Sequence, residues 1–83
     1  MNDLDRFTYE ELAQLSTRIY HGANKLWTYA EKAFVTASQQ PHPGKRAALY
    51  AAYKIIQAAA KEQTELHRDI CVEMRSRRVA RHG

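Results

Sequence analysis

His67 and Cys71 carry the side chains best suited to metal chemistry, and they stand four residues apart, on one face of any helix that contains them. Zinc takes about four ligands, and the sequence contains no second clustered pair to complete the set. His21 would join them only through a fortunate register between two segments. We therefore expect a thiol beside an imidazole here, with no metal site and no cofactor.

Basic residues near the C-terminus offer different chemistry, because cations at helical spacing contact phosphates. The members of this group are Arg75, Arg77, Arg78 and Arg81. A second basic pair is Lys45 with Arg46. In one interpretation these six residues bind nucleic acid. In the other, the arginines form a solvated helix end that complements the negative end of the helix dipole.

An aromatic line made of Tyr20, Trp27 and Phe34 recurs every seven residues and so follows one side of a helix. Trp and Tyr are frequent interface hot spots because they bury much area at low entropic cost. The line predicts either a docking surface for another protein or part of a dimer core. Both interpretations require an interface. Tyr50 and Tyr53, farther along, are expected to pack against the alanines of the first helix.

Catalysis has no support in the sequence. There is no glycine-rich phosphate loop, and two long helices provide no obvious concave pocket in which carboxylates lose their water. The acids are mostly spaced to pair with neighbouring cations or stand at a helix start. We expect neither an enzyme nor a small-molecule substrate.

The elements that position these residues are separated by Pro41-His42-Pro43-Gly44, which contains both prolines of the chain. Proline lacks the backbone N–H and biases its predecessor away from helical angles. We therefore expect an all-α fold, a helical hairpin of two long antiparallel helices within a single domain, 1–83. The predicted helices cover about 9–38 and about 44–79, and the turn covers 39–44.

The first helix has a clear start signal in Thr8-Tyr9-Glu10-Glu11, a capping box. In this motif the Thr8 hydroxyl accepts from the backbone N–H of Glu11, and the Glu11 carboxylate accepts from the backbone N–H of Thr8. The box predicts that the helix begins at Tyr9.

Apolar residues recur in steps of three and four along both helices. In the first helix they are Leu12, Leu15, Ile19, Ala23, Leu26, Ala30, Ala33 or Phe34, and Ala37. In the second they are Ala48 or Leu49, Ala52, Ile56, Ala59, Gln63, Leu66, Ile70 and Met74. Two helices alone leave half of each stripe facing water, so we expect two hairpins to pair into a dimeric four-helix bundle.

Gly22 lies inside the first predicted helix, where glycine costs about 1 kcal/mol relative to alanine. It either admits a bulky side chain, such as Tyr53 of the facing helix or Trp27 of a second copy, or is a tolerated surface glycine. Gln63 interrupts the second stripe, where it either sets the register of a dimer or occupies a half-exposed position.

The composition is that of a small basic protein of 83 residues with net charge +4. Residues 1–39 carry four Lys and Arg against five Asp and Glu, whereas 40–83 carry nine against four, so the second half holds the basicity. A lone cysteine, an acidic polar start and the absence of a long apolar run predict a cytoplasmic protein that does not contact a membrane.

These observations predict a small non-enzymatic protein-interaction module, a regulator, adaptor or inhibitor that occludes part of a larger partner, of a kind common among bacterial and phage accessory proteins. Its expected partner-binding residues are Tyr20, Trp27 and Phe34. The alternative is a nucleic-acid-binding protein that uses the basic second helix and its arginine-rich end.

Overall fold

The structure, a computed structural model, describes the backbone of residues 3–82 and the side chains of residues 4–80. A short 3-10 helix at Asp3–Arg6 precedes α1 (Tyr9–Gln39), and α2 (Pro43–His82) returns antiparallel to it. The predicted all-α helical hairpin is confirmed. Neither helix contains, within the described residues, an apolar stretch that would span a bilayer.

The capping box at the start of α1 is present as predicted. The backbone N–H of Glu11 donates to Thr8 Oγ1 at 3.1 Å, and the backbone N–H of Thr8 donates to Glu11 Oε1 at 2.9 Å. This second bond lowers the pKa of Glu11, because it stabilises the ionised carboxylate. The 3-10 helix before the cap was not predicted.

The boundaries of α2 differ from the predicted 44–79, and the turn is shorter than the predicted 39–44. Proline is well suited to the first helical position, where its missing N–H costs nothing, so α2 begins at Pro43. His42 Nδ1 accepts from the backbone N–H of Lys45 at 3.3 Å and so acts as a cap. At the other end α2 continues three residues further, to His82.

The buried core is uneven along the hairpin. Large buried side chains lie at the end where the termini meet, where Leu4, Leu12 and Ile70 form one cluster. Beyond it the buried residues are alanines. These are Ala23, Ala30, Ala37 and Ala60. Alanine seams let helices approach closely but bury little apolar area.

The predicted stripes are confirmed at most positions of both helices, and one position of α2 is corrected. The sequence left open whether Ala33 or Phe34 faces inward. Ala33 is half-buried and Phe34 is exposed, so Ala33 is the inward residue. Leu66, predicted inward, is 39% exposed. His67, the next residue, is half-buried instead, while the predicted Ile70 is fully buried, so the correction is local to one turn of α2.

The hairpin exposes more surface than a compact chain of its mass. Its dimensions are 60 × 22 × 17 Å and its radius of gyration is 17.6 Å, against about 12 Å for a compact domain of this length. Its accessible surface is 6518 Å², against about 5,100 Å² expected for a compact monomer. Much apolar surface therefore remains outside the fold.

Candidate protein-binding surface

The aromatic line lies along one broad side of the hairpin. Tyr20 is 53% exposed, Trp27 38% and Phe34 46%. Tyr50 and Tyr53 of α2 are half-buried on the same side and contact Phe34 of α1, whereas the prediction had them packing against the alanines of that helix. We call these five residues the aromatic face.

Contacts across the hairpin hold the exposed rings in place. The Phe34 ring centroid lies 5.3 Å from that of Tyr53 and 6.0 Å from that of Tyr50. Trp27 Nε1 donates to Thr64 Oγ1 at 3.2 Å, and Tyr20 packs on His67 with centroids 5.5 Å apart. Rings fixed in this way lose little conformational entropy when a partner covers them.

A shallow groove of about 370 Å³ opens within the aromatic face. It is lined by Trp27, Ala30, Glu31, Phe34 and Tyr53. Ala30 is buried and forms the floor, so the small residue of the helix seam leaves space between the larger rings. The groove is mostly apolar and has one carboxylate at its edge, a suitable place for an inserted apolar side chain.

A row of cations that the sequence analysis missed borders the aromatic face on α2. Its members are Lys54, Lys61, Arg68 and Arg75, all exposed. They recur every seven residues, as the aromatic line does on α1, and this spacing was the signal that would have revealed them. The row covers about 32 Å of helix at about 1.5 Å per residue.

The residues predicted to contact nucleic acid lie at opposite ends of α2. Lys45 is exposed and Arg46 half-buried beside the turn, whereas Arg75 and Arg78 are exposed near the termini. About 30 residues of helix separate the two groups, a distance of about 45 Å. The side chain of Arg81 lies outside the described residues. The predicted basic groups therefore form no single patch.

Arg77 makes two backbone contacts that the sequence did not predict, beside an ion pair with Glu73 that its spacing of four residues did predict. Its Nη2 donates to Leu4 O at 2.9 Å, its Nη1 donates to Phe7 O, and its Nε lies 3.0 Å from Glu73 Oε1. These bonds fasten the N-terminal segment to α2. The guanidinium is therefore engaged within the chain, whereas Arg78 beside it is exposed.

The thiol and imidazole considered for metal binding do lie together. Cys71 Sγ is 3.7 Å from His67 Nε2 and 4.0 Å from Ser16 Oγ. Among the described side chains, no group of three or more His, Cys, Asp or Glu is placed to hold a metal ion.

Gly22 is half-buried, yet a Cβ at this position would meet no atom within 4 Å. The predicted contact with Tyr53 of the same chain is therefore wrong, because Tyr53 lies on the aromatic face and packs on Phe34. The position is an open notch in the other broad side of the hairpin.

Comparisons with known proteins find no match for this chain, whether with family models, curated proteins or solved structures.

Proposed function

We propose that this chain is a non-enzymatic protein-interaction module of the cytoplasm that uses the aromatic face to bind and occlude a larger protein partner, as a regulator, adaptor or inhibitor. The supporting observation is the set of three large rings, each more than a third exposed, that intrachain contacts hold in a fixed arrangement. Hot spots are typically rigid aromatic residues of this kind.

The chemistry of the face favours an amphipathic partner helix with an acidic border. An apolar side chain of that helix enters the groove at Trp27 and Phe34, in the way that helices anchor in apolar grooves. Acidic side chains on one edge of the helix pair with Lys54, Lys61 and Arg68. Such pairs guide orientation and association rate more than they add affinity.

The test compares proteins captured from a cell lysate by the wild-type chain and by the double variant Trp27→Ala, Phe34→Ala. The matched control is Val35→Ala, Val72→Ala, which removes exposed apolar groups from the outer sides of the two helices. The captured protein is then purified and titrated against all three chains. We expect a loss of affinity of at least about a hundredfold for the aromatic variant, as for two hot spots, and little change for the control.

Retained affinity in the aromatic variant would refute the proposal, provided that circular dichroism shows both variants to be helical. Unfolding of the aromatic variant would refute it as well, since the rings would then be core residues rather than a surface. The single variant Tyr20→Ala repeats the test at the most exposed ring of the line.

We also propose that two hairpins associate into a four-helix bundle. The support is the accessible surface, which exceeds that of a compact monomer by about 1,400 Å². A stable protein interface needs about 800 Å² from each partner. The excess is therefore enough for a dimer contact and leaves further area for a target.

The second candidate function is nucleic-acid binding, favoured by the cation row at Lys54, Lys61, Arg68 and Arg75, which forms no ion pair with another described side chain. A row about 32 Å long would follow a phosphate backbone. Binding to a labelled oligonucleotide that falls steeply from about 50 to about 200 mM salt, and is lost in Lys61→Ala, Arg68→Ala, would support it. The absence of binding at the lower salt concentration would eliminate it.

A further inference from the structure

The broad side opposite the aromatic face is also apolar and open. We call it the notch face. Its members are Gly22, Leu26 and Tyr29 of α1 and Ile55, Ala59 and Leu66 of α2. Tyr29 is 56% exposed, Ile55 72% and Leu66 39%. The other three members are half-buried, and the open notch at Gly22 lies among them.

Contacts across the hairpin define which residues of the two helices are level with each other. Ser16 touches Cys71, Tyr20 touches His67, and Phe34 touches Tyr53. Each step up α1 is therefore matched by one step down α2. In this register Gly22 is level with the residue before Leu66, and Tyr29 is level with the residue before Ala59.

Charged residues flank Gly22 and Leu66 in the same pattern. Arg18 and Lys25 stand four residues before Gly22 and three after it, while Glu62 and Asp69 have the same spacing around Leu66. Arg18 is level with Asp69, and Lys25 with Glu62. All four are exposed. The one ion pair among the described side chains is Glu73 with Arg77, so none of these four has an ionic partner within its own hairpin.

A second hairpin laid on this face has two symmetric arrangements. A two-fold axis parallel to the helices places α1 of one copy on α2 of the other and keeps every height unchanged. Residues of α1 and α2 that are level within one hairpin are then also level between the two copies. A two-fold axis across the helices places α1 on α1 and α2 on α2. It brings together the α1 edges of the two copies, each of which carries Arg18 and Lys25, and these like charges repel.

Only the first arrangement matches both charge and size. Arg18 and Lys25 of one copy meet Asp69 and Glu62 of the other. Leu66 enters the notch at Gly22 of the second copy, and Tyr29 lies over Ala59 of the second copy, so a large residue faces a small one at both positions. On the aromatic face the same operation would set large against large, since Phe34 is nearly level with Tyr50.

We infer that a second copy of this chain covers the notch face about a two-fold axis parallel to the helices, with Leu66 seated at Gly22 and the pairs Arg18 with Asp69 and Lys25 with Glu62 along its borders. The inference rests on the proposed bundle and identifies its interface. The turns of the two copies then lie side by side at one end of the bundle, and their termini lie side by side at the other end. The two aromatic faces point outward on opposite sides, free to bind targets.

Charge reversal tests the borders of this interface. Sedimentation equilibrium and light scattering measure the dimer dissociation constant of wild type, Arg18→Glu with Lys25→Glu, and that variant with Glu62→Lys and Asp69→Lys added. Four attractive pairs become repulsive in the double variant, so we expect the dimer to weaken by at least about tenfold. The quadruple variant restores opposite charges and should recover most of that loss.

Size exchange tests the notch. The Cβ that Gly22→Leu adds meets no atom within 4 Å, and leucine is a better helix former than glycine, so we expect the isolated chain to stay folded. The leucine collides with Leu66 of the second copy, so we expect the dimer dissociation constant to rise at least about tenfold. Adding Leu66→Ala makes room again and should restore association.

A monomeric wild type at high concentration would overturn the inference. So would a dimer that is left unchanged both by Arg18→Glu with Lys25→Glu and by Gly22→Leu, and so would a dimer that Trp27→Ala, Phe34→Ala dissociates. Failure of the target proposal has a different readout, since the aromatic variant would then retain both its dimer and its target. Loss of the target with the dimer intact agrees with both proposals.

Discussion

The two halves of this hairpin bury different kinds of residue. The terminal half encloses Leu4, Leu12 and Ile70, and Arg77 closes it over the N-terminal segment. The turn half, from Ala23 to the turn, fully buries only alanines among its described residues and leaves Trp27, Tyr29 and Phe34 exposed. The terminal half therefore supplies most of the intrachain packing, while the turn half supplies most of the surface available to partners.

This division indicates how a two-helix protein can be ordered and still present a large surface for binding partners. Apolar burial contributes about 25 cal/mol per Å², so two large buried residues and a leucine from outside the helices stabilise the hairpin more than four alanines do. The rings that would have filled the turn half remain exposed. Substitutions in the two halves should consequently have different effects.

The largest expected effect is that of Ile70→Ala, which leaves a cavity in the one cluster of large buried side chains. We expect a loss of about 2–5 kcal/mol in the free energy of unfolding, measured by urea denaturation. Val72→Ala, two residues away and 60% exposed, should change it by less than about 0.5 kcal/mol. Similar losses for both would contradict the division into halves.

Arg77→Met should have the next largest effect, because it keeps the aliphatic stem but removes the donors to Leu4 O and Phe7 O. We expect a loss of about 1.5–3 kcal/mol. Amide exchange at Phe7, whose N–H donates to Leu4 O at 3.1 Å, should accelerate. Arg78→Met is the control for removing one positive charge. An equal loss in that control would show that charge, rather than fastening of the segment, is responsible.

A smaller effect of opposite sign is expected from Gly22→Ala, measured at concentrations where the chain is monomeric. The added Cβ meets no atom within 4 Å, so the helix should gain about 1 kcal/mol. Gly44→Ala is a useful comparison, since its Cβ would lie 3.2 Å from His42 Cε1 and press on the capping ring. A gain at Gly44 larger than at Gly22 would contradict the open notch.

The smallest effect concerns pH and the capping box in the terminal half. The bond from the Thr8 N–H lowers the pKa of Glu11 in the folded chain. A carboxyl with a lowered folded pKa stabilises the fold above its unfolded pKa, and that contribution disappears as pH falls through the folded value. Glu11→Gln should therefore be less stable than wild type at neutral pH and approach it as the pH falls below the lowered pKa of Glu11 in the folded chain. A pH-independent difference would contradict this.

Local signals in the sequence predicted the parts of the fold that depend on neighbouring residues. The capping box placed the start of α1 at Tyr9, and the proline pair placed the reversal. Registration between helices was less accessible, since Leu66 and His67 are both compatible with helical spacing and only packing against α1 decides between them. The binding of Arg77 to two carbonyls 70 and 73 residues away gave no local signal.

The candidate surface was predicted in part. The line Tyr20, Trp27 and Phe34 was visible as a period of seven in the sequence, but the sequence could not separate its two possible roles, dimer core or docking surface. Its exposure shows that the rings are not the core of the single hairpin, and the docking role stays a proposal. The cation row beside it had the same period and was overlooked because the terminal arginines were closer together in sequence.

By itself the sequence determined two helices, the position of the reversal, and the residue types that line each helix face, because capping, backbone restriction and apolar periodicity act over a few residues. The tertiary structure decided the register between the helices, since that depends on how side chains distant in sequence fit together. Register places Tyr20 on His67 and leaves Gly22 open. It also sets Arg18 level with Asp69, which no local pattern specifies.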